Sequence, residues 1–274
     1  MNIYEETKFI MKKYNVHANK KLGQNFLFDE QALDTIANEV TTEDTIIEIG
    51  PGLGTLTAIL LQKAKKVIAV ELDPNMVEII SERFKMYDNI EIINEDILKL
   101  DINKLAPKAK VVANLPYYIT TSIVTELIKA NITDITILIQ KEVADRLSAE
   151  PSTKAYGSLS VAVQYYSDVE FVGKVSKSCF YPQPKVDSGI VKLSKKHEYI
   201  FVRDRKLFSQ VVKSAFAKRR KTISNSMIGF CEQFTKDNVM KALGKSGTDA
   251  KRRGETLTVE EFAHLSNCMF EVLN

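Results

Sequence analysis

The chain has 274 residues, enough for one large domain or for a large and a small domain. Hydrophobic residues make up 45% of it and charged residues 27%, as in an ordinary globular protein. No apolar run approaches the roughly 20 residues that cross a bilayer, so we expect no contact with a membrane.

The N-terminus and the cysteines indicate the cellular compartment and the kinds of cross-link that the protein can have. Residues 1–15 include Glu5 and Glu6 and lack the continuous apolar core of a secretory signal. The three cysteines lie far apart, and no C-x-x-C pair or histidine-rich cluster accompanies them. This pattern predicts neither a disulfide framework nor a metal site. We therefore expect a cytoplasmic protein without a bound metal.

The net charge of +3 is unevenly distributed. Residues 200–274 contain 14 lysines and arginines against 8 acidic residues, whereas the rest of the chain has a small acidic excess. A near-neutral body with a basic C-terminal part suggests that this part binds a polyanion. A solvated helical surface is the alternative interpretation of the same charges.

Short β-rich runs alternate with helical patterns in the first half of the chain. Residues 54–64 and 74–86 have the apolar spacing of helices, and Asp73-Pro74 is a typical helix start. This alternation predicts a parallel sheet covered on both faces, whose ligands bind at the carboxyl ends of the strands. The predicted strands are residues 45–49, 66–71, 89–93, 110–114 and 135–140.

The pattern changes near residue 155. Residues 158–166 fit either a helix or a strand, and short runs at 169–175 and 188–193 fit antiparallel strands that close the far edge of the sheet. Beyond about residue 200 the apolar spacing is helical throughout. The predicted helices there are residues 205–218, 236–243 and 259–273.

These patterns predict two domains. An α/β domain spans residues 1–199, and its first 20 residues form a mobile N-terminal arm. A small all-helical domain spans residues 200–274.

A glycine-rich turn, EIGPGLG, follows the first strand and begins with Glu48. Glycines permit a tight turn and a close approach of a ligand to the backbone, and the next helix offers free N–H groups. The spacing is G-x-G-x-G and not the G-x-G-x-x-G of a dinucleotide site. We therefore expect Gly50 and Gly52 to face a cofactor without a pyrophosphate, while a packed turn without a ligand is the alternative.

Acidic residues follow the next two strands. Glu71 ends the second strand, where a carboxylate is suited to accept both hydroxyl hydrogens of a ribose. Asp96 follows the third strand and is suited to accept a hydrogen bond from the amino group of adenine. Either acid alone is more simply a solvated loop residue. Together with the glycine turn they predict an adenosine-containing cofactor.

The fourth strand ends in NLPYY, residues 114–118, which contains no acid, base or nucleophile. With the preceding motifs, this segment makes the chain resemble a class I methyltransferase that uses S-adenosylmethionine to modify an exocyclic amine. More narrowly, the chain resembles the ribosomal RNA adenine dimethyltransferase family. The resemblance runs from about Lys20 to the end of the chain, and its motifs are GQNFL at 23–27, NLPYY, and FYPQPKVDS at 180–188.

Two further segments resemble the housekeeping branch of that family, which is associated with kasugamycin resistance. They are AYGSLSVAVQYY at 155–166 and FAKRRKTISN at 216–225. The resemblance implies a Rossmann-like, mostly parallel seven-stranded sheet and a small C-terminal helical domain. It also implies S-adenosylmethionine as the cofactor and dimethylation of N6 on two adjacent adenosines near the 3′ end of 16S rRNA in the small ribosomal subunit. We expect a monomer.

The NLPY turn fits this reaction. The N6 amine of adenine is a poor nucleophile because its lone pair is delocalised, but the sulfonium methyl group is already activated and no base is needed before attack. The Asn114 side-chain oxygen and the Leu115 carbonyl would accept the two amine hydrogens, in bonds that strengthen in the transition state. Pro116 would fix the turn, and Tyr117 would stack on an unpaired or flipped-out base.

The resemblance assigns further roles. Phe180 is the aromatic wall opposite Tyr117, while Asn25, Leu27 and Asn114 contact the cofactor. Some of the basic residues at the end of the first C-terminal helix should contact rRNA phosphates, since successive helical positions cannot all face one partner, and the alternative is that all are solvated. These residues are Lys218, Arg219, Arg220 and Lys221. Near the N-terminus, Lys12, Lys13, Lys20 and Lys21 form either a lid that contacts phosphate or a solvated arm.

Three other functions stay open. An assembly factor that binds the immature small subunit, with methylation secondary, would still support subunit maturation after Asn114 is inactivated. A nicotinamide-dependent oxidoreductase is disfavoured by the G-x-G-x-G spacing and by NLPY. A methyltransferase of the macrolide-resistance branch would modify 23S rRNA.

Overall fold

The fold comes from a computed structural model that describes residues 2–19 and 22–274. The chain divides into two compact units, the first formed by Met1–Ala144 and Asp168–Lys195 and the second by Asp145–Ser167 and Lys196–Asn274. Residues 158–166, which the sequence placed in the α/β domain, thus belong to the second unit. In these described ranges no helix has the length and apolar character to cross a membrane.

A seven-stranded sheet forms the centre of the first unit. Its order is β4-β3-β2-β5-β6-β9-β7, and a separate pair joins β1 to β8. Neighbours from β4 to β6 are parallel, while β9 is antiparallel to β6. The predicted fold class is therefore confirmed. The strands are β1 (Phe26–Leu27), β2 (Thr45–Ile49), β3 (Lys66–Glu71), β4 (Ile90–Asn94), β5 (Lys110–Asn114), β6 (Asp134–Gln140), β7 (Ser167–Val175), β8 (Phe180–Tyr181) and β9 (Ser188–Lys195).

Helices connect these strands. β2 and β5 are buried nearly throughout, as expected for parallel strands covered on both faces, which explains their continuous apolar sequences. The helices up to β7 are α1 (Ile3–Lys13), α2 (Glu30–Ile36), α3 (Thr55–Lys63), α4 (Pro74–Arg83), α5 (Ile102–Leu105), α6 (Thr120–Leu127), α7 (Lys141–Leu147) and α8 (Ser158–Tyr166).

The strand order reverses between β2 and β5, which places the turns after these two strands side by side. The register pairs Ile46 with Lys110 and Ile47 with Val111. Continued by three residues, it sets Gly50 next to Asn114. This is the topological switch point at which open α/β sheets bind ligands.

Helix α1 covers most of the segment predicted to be a mobile arm. Ile10 belongs to one buried apolar cluster with Leu53, Met76 and Ile79, so the helix is packed on the first unit. Lys12 is exposed, and Lys13 forms an ion pair with Glu82. Lys20 and Lys21, the other candidate phosphate contacts, lie outside the described residues.

The second unit is helical. Val161 and Tyr165 of α8 are buried in its apolar core, which explains why α8 belongs to this unit and not to the sheet. The remaining helices are α9 (Arg205–Phe216), α10 (Ile223–Met227), α11 (Lys236–Lys245) and α12 (Val259–Leu273).

Helix α9 ends two residues earlier than predicted. The buried Ser226 hydroxyl donates to the Ser214 carbonyl at 2.7 Å and accepts from the Lys218 N–H at 3.0 Å. In a longer helix the Lys218 N–H would donate to the Ser214 carbonyl, and the Ser226 hydroxyl binds both of these groups instead. The basic residues 218–221 therefore lie in a turn after the helix and not on its last turn, as the sequence had suggested.

The glycine turn provides a test of the fold. Gly54 has a φ of +80°, and a Cβ at this position would lie 2.6 Å from Phe84 Cε2. We predict that G54A lowers the free energy of unfolding by about 1–3 kcal/mol, because alanine is strained at this φ and its Cβ also clashes with the Phe84 ring. The measurement is a urea titration. The control is G244A in α11, where a Cβ meets nothing within 4 Å and helix propensity favours Ala. Equal stability of the two variants would contradict this account of the turn.

Candidate active site at the carboxyl edge of the sheet

A cleft at the carboxyl ends of β2 to β5 brings most of the predicted site residues together. It is open to solvent, and the space between its walls, including the solvent at its mouth, is about 1030 Å³. Residues 22–27, which we call the strap, form one wall, and the turns after the strands form the others. The predicted cofactor residues Asn25, Leu27, Gly50, Gly52, Glu71, Asp96 and Asn114 all line it, as do Leu115, Pro116 and Tyr117.

Glu71 ties the glycine turn to the end of β3. Its Oε2 accepts the Gly52 N–H at 3.0 Å, and its Oε1 accepts the Asp73 N–H at 2.9 Å. Burial raises the pKa of Glu71, and these backbone donors counteract the rise. The bonds fix the carboxylate, and each oxygen retains acceptor capacity for a ligand hydroxyl.

Glu48 is a second buried acid in the cleft. It is 1% exposed, and its Oε2 has no hydrogen-bond partner within the described residues. Burial raises the pKa of Glu48 to about 8; the Thr57 hydroxyl counteracts this rise, and the Glu71 carboxylate adds to it. The carboxyl group is thus mostly neutral at pH 7 and would ionise beside a cation. Sequence reasoning noted this acid but could not see its burial, so it assigned no role.

Asp96 follows β4, and one of its carboxylate oxygens binds a backbone N–H. Its Oδ1 accepts the Leu98 N–H at 3.0 Å and caps a short helical turn. Leu72 and Ile97 line the cleft beside it. The carboxylate therefore has a fixed orientation next to an apolar surface that suits a base.

The strap orients the Asn114 amide. Asn114 Nδ2 donates to the Asn25 carbonyl at 3.3 Å, and Asn25 Nδ2 donates to the Gly23 carbonyl at 2.8 Å. An amide has one donor end and one acceptor end, so binding the nitrogen to the strap turns the oxygen away from it. Asn114 Oδ1 is thereby available as an acceptor in the cleft.

A hydrogen bond that the sequence did not reveal attaches the strap to the end of β3. Gln24 Nε2 donates to Asp73 Oδ2 at 2.9 Å, and Gln24 Oε1 accepts the Asn19 N–H at 2.8 Å. Asp73 also donates its own N–H to Glu71. One chain of bonds thus links the acid at β3 to the strap that orients Asn114. Gln24 belongs to the GQNFL motif, but its partner is 49 residues away.

Hydrogen bonds hold the turn after β5 at several points. The Leu115 N–H donates to the Leu138 carbonyl at 3.0 Å, and the Thr120 hydroxyl donates to the Pro116 carbonyl at 2.9 Å. The Tyr117 hydroxyl lies 2.6 Å from Ser188 Oγ and shares a hydrogen bond with it. Burial raises the pKa of Tyr117, with Ser188 opposing the rise, so the phenol stays protonated and does not act as a base.

Phe180 is not brought into the cleft. It pairs with Leu27 across the β1–β8 pair and is 3% exposed, in a core cluster that also contains Ile190. Cross-strand partners share one face of the pair, so Phe180 lies beside Leu27 in that cluster and is not among the residues that line the cleft. The aromatic wall opposite Tyr117 stays a prediction. Alternation along the strand exposes its neighbour Tyr181 instead.

The predicted RNA-binding residues lie in the second unit. Lys218, Arg219, Arg220 and Lys221 are all exposed. Arg219 Nη2 donates to the Lys154 carbonyl at 3.1 Å, and Lys218 Nζ donates to the Asn225 carbonyl at 3.4 Å. These contacts with neutral carbonyls leave the positive charges unneutralised, as binding to phosphate requires.

Comparisons with known proteins identify the family of the chain. The family described as ribosomal RNA adenine dimethylase matches residues 15–268. A protein of Clostridium botulinum named ribosomal RNA small subunit methyltransferase A is 48% identical, over 97% of this chain and 99% of its own. Proteins of the same name from Clostridium acetobutylicum and Bacillus licheniformis are 50% and 44% identical, over 95% and 97% of this chain and 97% and 96% of their own.

Two solved structures are also similar. A dimethyladenosine transferase from Plasmodium falciparum has a TM-score of 0.75 and 27% identity, covering 88% of this chain and 95% of its own. The 23S rRNA methyltransferase ErmE has a TM-score of 0.68 and 27% identity, covering 90% of this chain and 100% of its own. The resemblance found in the motifs is thus confirmed along nearly the whole sequence. The chain belongs to the ribosomal RNA adenine dimethylase family, enzymes that transfer methyl groups from S-adenosylmethionine to adenine.

Proposed function

We propose that this enzyme dimethylates N6 of two adjacent adenosines near the 3′ end of 16S rRNA, within the small ribosomal subunit. It acts as a monomer in the cytoplasm, where these subunits are made. Full-length relatives of 44% to 50% identity that are named small subunit methyltransferases support this substrate over 23S rRNA. The observation that carries the proposal is the hydrogen-bonded Asn114–Tyr117 turn beside the glycine turn, with the Asn114 nitrogen held by the strap.

The residues of the cleft fit S-adenosylmethionine. When bound, this cofactor supplies a methyl group activated by a positively charged sulfur. Glu48 and Glu71 place two buried carboxyl groups in the cleft, and none of the described residues bonds to Glu48 Oε2, so this oxygen is suited to bind a donor or a cation of the ligand. Glu71 would hold the ribose hydroxyls and Asp96 the adenine amino group. Asn25 and Leu27 would close over the ligand from the strap.

The target amine is bound by acceptors alone, and it loses a proton to solvent after the methyl group has moved from sulfur to nitrogen. Asn114 Oδ1 and the Leu115 carbonyl accept its two hydrogens, which turns the nitrogen lone pair toward the cofactor side of the cleft. These bonds strengthen as the nitrogen gains positive charge, so they stabilise the transition state more than the ground state. The Tyr117 ring, held at its hydroxyl by Ser188, stacks on the base and favours the same developing charge.

Labelled S-adenosylmethionine tests this function. We expect label to enter 16S rRNA of unmethylated small subunits, as N6,N6-dimethyladenosine at two adjacent positions on nucleotide mapping. Label in 23S rRNA of large subunits instead would favour the resistance branch. An inactive Asn114 variant that still supports subunit maturation would add an assembly role.

The buried Glu48 predicts a pH-dependent affinity for the cofactor. A neighbouring cation favours the ionised carboxyl, so binding releases a proton below the free-state pKa of about 8. Affinity should therefore rise with pH by up to about tenfold per unit between pH 6 and 8 and level off above. E48Q should bind more weakly and without this slope. The measurement is titration calorimetry with S-adenosylmethionine from pH 6 to 9; equal slopes in wild type and E48Q would contradict the assignment.

Asn114 and Tyr117 predict a loss of turnover with little change in cofactor binding. N114A should reduce the single-turnover rate about 100-fold or more, because its oxygen stabilises the transition state, while cofactor affinity stays within a few-fold. Y117A should reduce the rate more than Y117F, since the ring carries the stacking and the hydroxyl only positions it. If Y117F were as slow as Y117A, the stacking role would be wrong.

The basic turn predicts salt-dependent binding to subunits. Changing Arg219, Arg220 and Lys221 to Ala should weaken binding to small subunits and reduce the slope of log affinity against log salt by about one per lost phosphate contact. Cofactor affinity should be unchanged. The control changes Lys236, Lys241 and Lys245 of α11 to Ala, which removes the same charge from the same unit. Identical salt slopes for the two triple variants would refute a specific role for this turn.

A further inference from the structure

The glycine turn is also held by Ile10, Met76 and Arg83, which are not among the residues that line the cleft. Leu53 lies between Gly52 and Gly54 and is 1% exposed. Its side chain belongs to the apolar cluster of Ile10 and Met76, and its carbonyl accepts a hydrogen bond from Arg83 Nη1 at the end of α4. Both the side chain and the carbonyl group of Leu53 are therefore held in place.

Arg83 requires a partner to stay in this position. Its side chain is only 13% exposed, and an unpaired guanidinium so deeply placed is costly. Glu6 of α1 supplies that partner, with Glu6 Oε1 at 2.6 Å from Arg83 Nη2. The two terminal nitrogens of the Arg83 guanidinium thus link the Glu6 carboxylate of the N-terminal helix to the Leu53 carbonyl of the glycine turn.

The turn needs this support because of its backbone. Gly52 and Gly54 both adopt positive φ, at 56° and 80°. Glycine reaches these angles easily because it has no side chain, but for the same reason it loses more conformational freedom than other residues when it is ordered. A turn of this kind loses much conformational entropy if it must be ordered by the ligand. A turn that is ordered beforehand binds more tightly without any new contact to the ligand.

We propose that Glu6 and Arg83 are positioning residues that set the affinity for the cofactor, and that α1 is thereby a functional part of the cofactor site. The inference rests on the proposed function of the glycine turn as the place where S-adenosylmethionine binds. It assigns a role to the N-terminal helix different from that of a lid or a solvated arm: Glu6 of this helix holds Arg83, which binds the turn.

The first test uses the cofactor-free protein. Hydrogen–deuterium exchange of peptides covering residues 50–58 should be faster in E6Q and R83Q than in wild type. K13Q is the matched control, because it removes the other α1 ion pair, Lys13 with Glu82, which does not contact the turn. Unchanged exchange in E6Q and R83Q, or the same increase in K13Q, would overturn the inference.

The second test measures S-adenosylmethionine affinity by calorimetry. E6Q and R83Q should each weaken it by about tenfold, K13Q should not, and the double variant should match R83Q, because both changes break one coupled unit. R83K should recover only part of the affinity, since an ammonium cannot span both acceptors. The turnover number at saturating cofactor should be unchanged.

The outcomes separate the two proposals. If wild type binds no S-adenosylmethionine, the proposed cofactor site fails. If wild type binds it and E6Q, R83Q and K13Q bind equally well, or if the effects of E6Q and R83Q simply add in the double variant, only the positioning role fails. E6Q changes a helix residue whose side chain is 46% exposed, and equal melting temperatures of E6Q and K13Q would show that folding does not explain its effect.

Discussion

The orientation of one amide decides what the cleft can do to an adenine. Asn114 ends β5 at the point where the strand order reverses, and its nitrogen is bound to the Asn25 carbonyl. The oxygen is left to face the cleft as an acceptor. If the amide were rotated by 180°, its nitrogen would face the target amine, and two hydrogen-bond donors would meet. The lone pair of the target would then not be turned toward the methyl group. The proposed catalysis by acceptors alone depends on this hydrogen bond.

The rest of the first unit serves to hold that amide and its surroundings. The strap that supplies the Asn25 carbonyl is attached through Gln24 to Asp73, whose N–H binds Glu71. The same Glu71 carboxylate accepts the Gly52 N–H of the glycine turn. The cofactor side and the target side of the cleft are therefore parts of one hydrogen-bonded network. Order in one part supports order in the other.

The positions of the strand-end residues were predictable from sequence because a parallel sheet places successive strand ends at one edge. Glu71, Asp96 and Asn114 needed only their strands to be found, and the glycine spacing favoured a cofactor without a pyrophosphate. The end of α9 was not predictable, because the Ser226 hydroxyl that stops it comes from the next helix. The burial of Phe180 was not predictable either, because it depends on β1, which lies more than 150 residues earlier in the chain.

Other features depend on contacts between distant segments. The raised pKa of Glu48 comes from burial, which a motif does not reveal. The partners of Gln24, Tyr117 and Arg83 lie tens of residues away in the sequence. Composition and spacing carry no information on such pairs, so the support of the site appears only in the folded chain.

The most direct measurement is a crystal structure with S-adenosylhomocysteine and adenosine, at a resolution that distinguishes oxygen from nitrogen in the Asn114 amide. We expect Asn114 Oδ1 and the Leu115 carbonyl each within about 3 Å of the adenosine N6, with Asn114 Nδ2 still bound to Asn25. An amide whose nitrogen faces N6, or an adenosine bound away from Tyr117, would contradict the account.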